Sequence, residues 1–431
     1  GTNNVAIGQG ASDSLTTDSN VVAIGYGAYN GMDTATDAEG GSGHGSGNIA
    51  IGYLSMSAYT SADAIRNTAV GFETMMTGAD HAAQDNVALG FQALKALTTG
   101  DTNTSVGSKA GLELNTGGNN TFIGYRTGES STDTINNVVV GADAGRDGDL
   151  AGYSVIIGAN AGVSVTGANN TLVGSATAGR LVGGAGNTYL GANTGTGNNT
   201  GDNNTYLGLN SGKGVNDNAN TNNVGVGSSS LFAITTGGYN VALGVNSGKD
   251  LNSGASNTFV GGDAGLEVTT GTTNVAIGAS CLDRMDGAVT QNVAIGATAM
   301  HGNLSNVAIT GCVAIGHEAL EGTLTVGANY SVAIGKEALK GLTSGAGTVA
   351  IGYLAGTKIA TGNDNTLLGF MAGKKLGSTS ADNNVFIGYA CGAGGDDATN
   401  GVNNAANHNV GIGYLALGAS ADHTADGTAF S

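Results

Sequence analysis

A five-residue unit, N-[VT]-x-[IVL]-G, recurs along this whole chain, and a repeat this dense leaves few folds open. It reads NVAIG at 4–8, NIAIG at 48–52, NTFIG at 120–124 and NTYLG at both 187–191 and 204–208. Twenty-three copies close on glycines running from Gly8 to Gly413, and the commonest spacing is that from Gly107 to Gly124. The residue before the closing glycine is Ile, Val or Leu in every copy, and the residue three before it is Val, Thr or Ile. One variable position separates them, as in Ala6, Phe122 and Tyr189. Two β-branched or aliphatic residues spaced by two are the period of a strand, and β-branching on this scale disfavours helix.

The two invariant positions share one side of the strand, and this reading assigns that side to the core. Val5, Ile7, Ile123, Leu190 and Ile277 are then core residues. Gly8, Gly124, Gly191 and Gly278 end their strands where the backbone turns sharply or takes positive φ. Three residues later every copy has a small side chain, such as Ala11, Ser55 or Cys281, which implies a tight corner. Eleven copies then add a second glycine, as at Gly111 and Gly145; most of the others place a larger residue there, as at Met75 and Leu94. Asn precedes the strand in 18 of the 23 copies. Stacked in register, Asn4, Asn120, Asn187, Asn274 and their counterparts form an amide ladder, a structural device rather than a binding groove.

The fold that follows is all-β: a parallel β-solenoid, or β-roll, of about 23 coils with a 17–19-residue period. It forms one repeat domain over residues 1–431, with loop insertions near 26–47 and 389–408. The copies at Gly71, Gly296 and Gly316 are longer by two or three residues. Coils stacked about 4.8 Å apart predict a rod roughly 110 Å long. The absence of Pro suits an unbroken ladder of backbone donors. The variable position, read as outward, is too apolar to meet water. A second buried face is therefore expected, supplied by a parallel homotrimer.

Composition narrows the function. Gly occurs 79 times in 431 residues, and only 11% of residues are charged, where about a quarter is ordinary. With 40% hydrophobic residues at fixed spacing, the chain is ordered rather than disordered. A net charge of −18 disfavours nucleic acid and anionic membrane as partners. No apolar stretch approaches the roughly 20 residues of a membrane helix. No signal peptide is recognised, and a first residue other than Met suggests processing or a larger polypeptide. The three cysteines, Cys281, Cys312 and Cys391, are too far apart for a disulfide framework and are read as buried thiols.

The quoted units, together with NTAVG followed by FET and VAIG followed by KEAL, resemble the head repeats of YadA-type trimeric autotransporter adhesins. They are also similar to repeats of bacteriophage tail-fibre proteins. The resemblance covers essentially the whole chain. It implies a left-handed, trimeric parallel β-roll and attachment to a host surface.

No catalytic set emerges, and the chain is read as a non-enzyme. His44, His81, His301, His317, His408 and His423 have no recurrent partner. Glu318 and Glu337 fall at equivalent positions of adjacent coils, a coincidence of repetition rather than a glycosidase pair. No cofactor is expected. Calcium in turns such as NTGDNN at 199–204 is the one metal considered, and ordinary turns are preferred. The expected role is an extracellular fibre or adhesin, attached to a virion or cell surface, whose tip or loops meet a host glycan or surface protein. The alternative is an end-to-end filament or sheath. In both, the principal partner is the chain itself, as a homotrimer or through its ends.

Overall fold

The computed structural model describes residues 1–13, 18–30, 47–58, 64–77, 82–215, 218–302, 308–376, 381–393 and 407–417. Residues 31–46 and 394–406, most of the two expected insertions, lie outside that set, as do His44, His81 and His423. The chain forms two compact units, residues 1–220 and 221–431.

Both units are built from one coil, and the fold is an all-β parallel solenoid. Equivalent residues of adjacent coils, such as Asn103 and Asn120, mostly lie 17 positions apart. Twenty-three three-residue strands, β1 (Val5–Ile7) through β23 (Val410–Ile412), each end immediately before a closing glycine. The first unit contains β1 to β12 (Thr205–Leu207), and the second β13 (Val224–Val226) to β23. Within each unit consecutive strands pair parallel with equivalent residues opposed. Tyr189 lies beside Tyr206 in the first unit, for example, and Ala276 beside Ala294 in the second.

The strand faces are opposite to the sequence reading. The variable middle residue points inward: Phe122, Tyr189, Tyr206 and Phe259 are fully buried. The flanking residues point outward, with Val5 45%, Ile7 57%, Ile123 40%, Leu190 49% and Ile277 39% exposed. Period two places both flanking residues on one side but does not say which side is the core. The ladder Asn decides it. Asn120, Asn187 and Asn274 are buried, and each lies two residues before the middle position. Alternation therefore puts the amide and the variable residue on the same, inner face.

This inner face explains the two kinds of corner. The residue four after the closing glycine packs against the middle of the strand, and the two exchange volume. Where the strand carries Phe122, Tyr189, Phe259 or Phe386, the corner residue is Gly128, Gly195, Gly265 or Gly392. A Cβ on those glycines would lie 2.3–2.8 Å from the aromatic ring. Where the strand carries Ala50, Ala69, Ala88 or Ala333, the corner is Met56, Met75, Leu94 or Leu339, each fully buried. Most coils thus carry one large side chain at this level, which either segment supplies, and close packing leaves no room for two. Ala6 with Ser12 in the first coil, and Ser105 with Gly111, Ala242 with Gly248 and Ala350 with Gly356, carry none. At the last three, large side chains of the adjacent coils (Leu94 and Phe122, Leu231 and Phe259, Leu339 and Leu367) come within 3.1 Å of the glycine's Cβ position. A third inner position adds Leu97, Leu114, Leu181, Ile234 and Leu342.

The closing glycines stack directly on one another. Gly124, Gly141 and Gly158 have φ of 139°, 133° and 140°. A Cβ on Gly141 would lie 2.5 Å from the Gly158 carbonyl oxygen, and the same collision repeats along each unit. The small residue three positions on closes the corner. Thr74 Oγ1 donates to the Gly90 carbonyl at 3.0 Å and Thr194 Oγ1 to that of Gly208 at 2.8 Å, tying each corner to the next coil.

Candidate interaction surface

The buried amide ladder holds the strands in register. Asn120 donates both its backbone N–H and its Nδ2 to Asn103 Oδ1, each at 3.0 Å, and Nδ2 also reaches the Thr134 carbonyl at 2.7 Å. Asn187 bonds Asn170 Oδ1 and the Gly201 carbonyl, and Asn274 bonds Asn257 Oδ1 and the Val289 carbonyl, in the same way. At the edge of the first unit Asn4 Nδ2 donates to the Asp18 carbonyl at 2.9 Å, and its Oδ1 accepts from Val21 N at 3.0 Å. Each amide is therefore used in both directions inside the coil, where an unpaired polar group would be costly. Val21, Ser154, Cys312, Ser331 and Thr348 stand in place of Asn in five coils. Ser331 Oγ and Thr348 Oγ1 keep the donor role, at 3.1 Å to the Gly345 and Gly362 carbonyls.

With the amides and the variable residues turned inward, the surface left to solvent is the outer strand face. It has two rows repeated at every strand, an aliphatic row of Ile, Leu or Val and a mixed row of Val, Ile or Thr, with Thr at eight strands. Beside them, at the residue after the closing glycine, run two aromatic ladders. Tyr26, Tyr53, Phe72 and Phe91 stack with centroids 5.4, 4.9 and 5.5 Å apart in the first unit. Tyr353, Phe370, Tyr389 and Tyr414 do so at 5.1, 5.2 and 5.3 Å in the second. Ring faces are taken up by neighbouring rings, so the ladders present their edges outward. Sequence reasoning missed this surface because it assigned the aliphatic rows to the core. The pairing of bulky middle residues with corner glycines was the signal that could have found it.

The remaining candidates are dispersed. Lys340 Nζ donates to Glu318 Oε2 at 2.8 Å and holds that carboxyl below its ordinary range, while Glu337 lies 3.4 Å from Lys336. Each glutamate has its own lysine. His317 Nδ1 is 3.7 Å from Glu318, and the His408 backbone N–H donates to the Asp382 carbonyl. In the 199–204 turn, Asp202 accepts from the Ala185 backbone N–H at 2.7 Å. Among the described residues no three His, Cys, Asp or Glu side chains gather closely enough to hold a metal ion. No described helix is long and apolar enough to cross a membrane.

All three cysteines are buried free thiols, and burial raises each thiol pKa, that of Cys281 to about 12. A thiol held protonated is a poor nucleophile. Native protein should therefore react with Ellman's reagent at pH 8 at least about tenfold more slowly than unfolded protein; equal rates would show that the coils open readily.

Compared with known proteins, the sequence matches no family profile and no curated protein.

Proposed function

We propose that this protein is a structural or adhesive fibre subunit, extracellular on a virion or cell surface, which associates with two further copies through its outer strand face. The observation that carries this reading is the aliphatic Ile/Leu/Val row left at the surface of successive strands beside the Val/Ile/Thr row. Contiguous apolar surface beyond a few hundred Å² marks an interaction site in soluble proteins. Its composition, aliphatic with aromatic edges alongside, suits the centre of an obligate interface. A second copy is the fitting occupant because the row repeats at the coil spacing, so only a partner with the same spacing matches it along its length. Three such faces close about a threefold axis. The resemblance of the repeats to trimeric adhesin heads and tail-fibre repeats supports the same assembly and the attachment role.

Light scattering tests it: a mass of three chains is expected. Replacing Ile123 and Leu190 by Lys puts charges on the outer face without touching the core. The double variant should run as a single chain with its circular dichroism unchanged. Wild-type protein running as one chain would overturn the reading, and open-ended filaments in micrographs would favour the end-to-end polymer instead.

A further inference from the structure

The second unit departs from its own repeat over a run of consecutive coils. From the coil of β17 (Val293–Ile295) through that of β19 (Val332–Ile334), closing glycines Gly296, Gly316 and Gly335 are spaced more widely than Gly261 and Gly278. The amide ladder there passes through Cys312, Ser331 and Thr348, and a 3₁₀ turn occupies Val326–Ala328. The same stretch borders a surface cleft of about 310 Å³, lined by Arg284, His301, Glu321, Thr323 and Lys340 with two glycines. In a chain with 14 Lys and Arg among 431 residues, two of them and a histidine meet at this one opening.

Charge within the cleft is unevenly spent. Lys340 is held by Glu318 at 2.8 Å and Glu321 at 3.1 Å. Arg284 is exposed and forms no ion pair with the described residues. Behind it, Asp283 is 5% exposed and accepts from the Arg284 backbone N–H at 2.7 Å, with His301 Nε2 3.8 Å from its carboxylate. Burial raises the Asp283 carboxyl pKa. Glu321 Oε2 is buried and accepts no well-directed hydrogen bond, although Lys340 lies beside it. The cleft therefore offers an available guanidinium and the Thr323 hydroxyl. None of its lining side chains is apolar.

We infer that this cleft binds a carboxylated sugar, with Arg284 taking the carboxylate and Thr323 a ring hydroxyl. A guanidinium pairs bidentately with a planar carboxylate. A cleft of this size suits a small ligand, and the absence of apolar side chains from its lining favours a hydroxylated one. The assignment deepens the attachment reading and rests on it, because it names the chemistry on a host surface that the fibre would meet.

Saturation-transfer NMR titrations of the assembled protein with D-glucuronate, N-acetylneuraminate, D-glucose and an acetylated dipeptide test the assignment. At least one sugar acid should bind saturably, with a dissociation constant on the order of 1 mM, and glucose at least about tenfold more weakly. Arg284→Gln should weaken sugar-acid binding at least about tenfold, and Arg284→Lys less, since it keeps the charge but not the fork. Both substitutions are on an exposed side chain, and an unchanged thermal melt will show that the fold is intact. Equal binding of glucose and the acids, indifference to Arg284→Gln, or no saturable transfer up to about 50 mM would overturn the proposal. So would a peptide carboxylate binding as well as the sugar acids. The mass of the same sample separates the two readings: a trimer that binds no sugar acid refutes the cleft alone, and a single chain refutes the fibre.

Discussion

Replacing Phe122 by Ala and Gly128 by Leu in the same chain should restore most of the stability that either change removes alone. Phe122 is fully buried, and its ring occupies the space that a Gly128 side chain would enter, with a Cβ there 2.5 Å from Cε1. Phe122→Ala alone empties that space and should cost about 3–5 kcal/mol. Gly128→Leu alone overfills it, forcing ring and backbone apart, and should cost about 1–3 kcal/mol or more. Together they recreate the arrangement of β5 (Val87–Leu89), where Ala88 faces Leu94. Leu94 sits there at φ 48°, so the corner conformation accepts leucine, and Gly128 already has φ 59°. The double variant should lie within about 1.5 kcal/mol of wild type, a coupling of at least about 2 kcal/mol by urea denaturation of all four proteins. Additive losses would show that the exchange of bulk between strand and corner is not what fills the coil.

The second large effect belongs to the closing glycines. Gly141→Ala places a methyl group 2.5 Å from the Gly158 carbonyl oxygen, at a φ of 133° that L residues rarely adopt. Backbone strain alone is worth about 1–3 kcal/mol. The collision adds to it because the obstacle is the backbone of the next coil and not a flexible side-chain end. A loss of more than about 4 kcal/mol is expected. It should appear as uncoupling: a stack of coils is held by nearest-neighbour contacts, so amide hydrogen exchange should accelerate most on either side of residue 141. Gly262→Ala is the control, since a Cβ there meets nothing within 4 Å and φ is not positive. Its stability should stay within about 0.5 kcal/mol of wild type. A Gly141→Ala variant as stable as the control would mean that the coils can separate locally without cost.

Much of this architecture was legible because repetition amplifies weak signals. One N-T-F-I-G is uninformative, but 23 such units determine strand period, strand ends and coil length. The closing glycine and the Asn were readable for a related reason: each has a backbone or hydrogen-bonding role that few residues can fill at that position. The cleft was not legible. Arg284 and Lys340 are 56 positions apart, and nothing in their spacing says that they share an opening.

What the amino-acid sequence determined by itself is therefore the parallel solenoid: its period, where each strand ends, and that Val5 and Ile7 lie on the same side of theirs. Which side is the inside was decided only by tertiary structure. A strand's alternation is symmetric between its faces, and hydrophobicity cannot break the symmetry when both faces are apolar. Volume breaks it. The interior of so small a coil admits one large side chain from strand or corner together with a satisfied amide, which is what Phe122, Gly128 and Asn120 provide. The β-branched rows, which would overfill that space, are left to the outer surface.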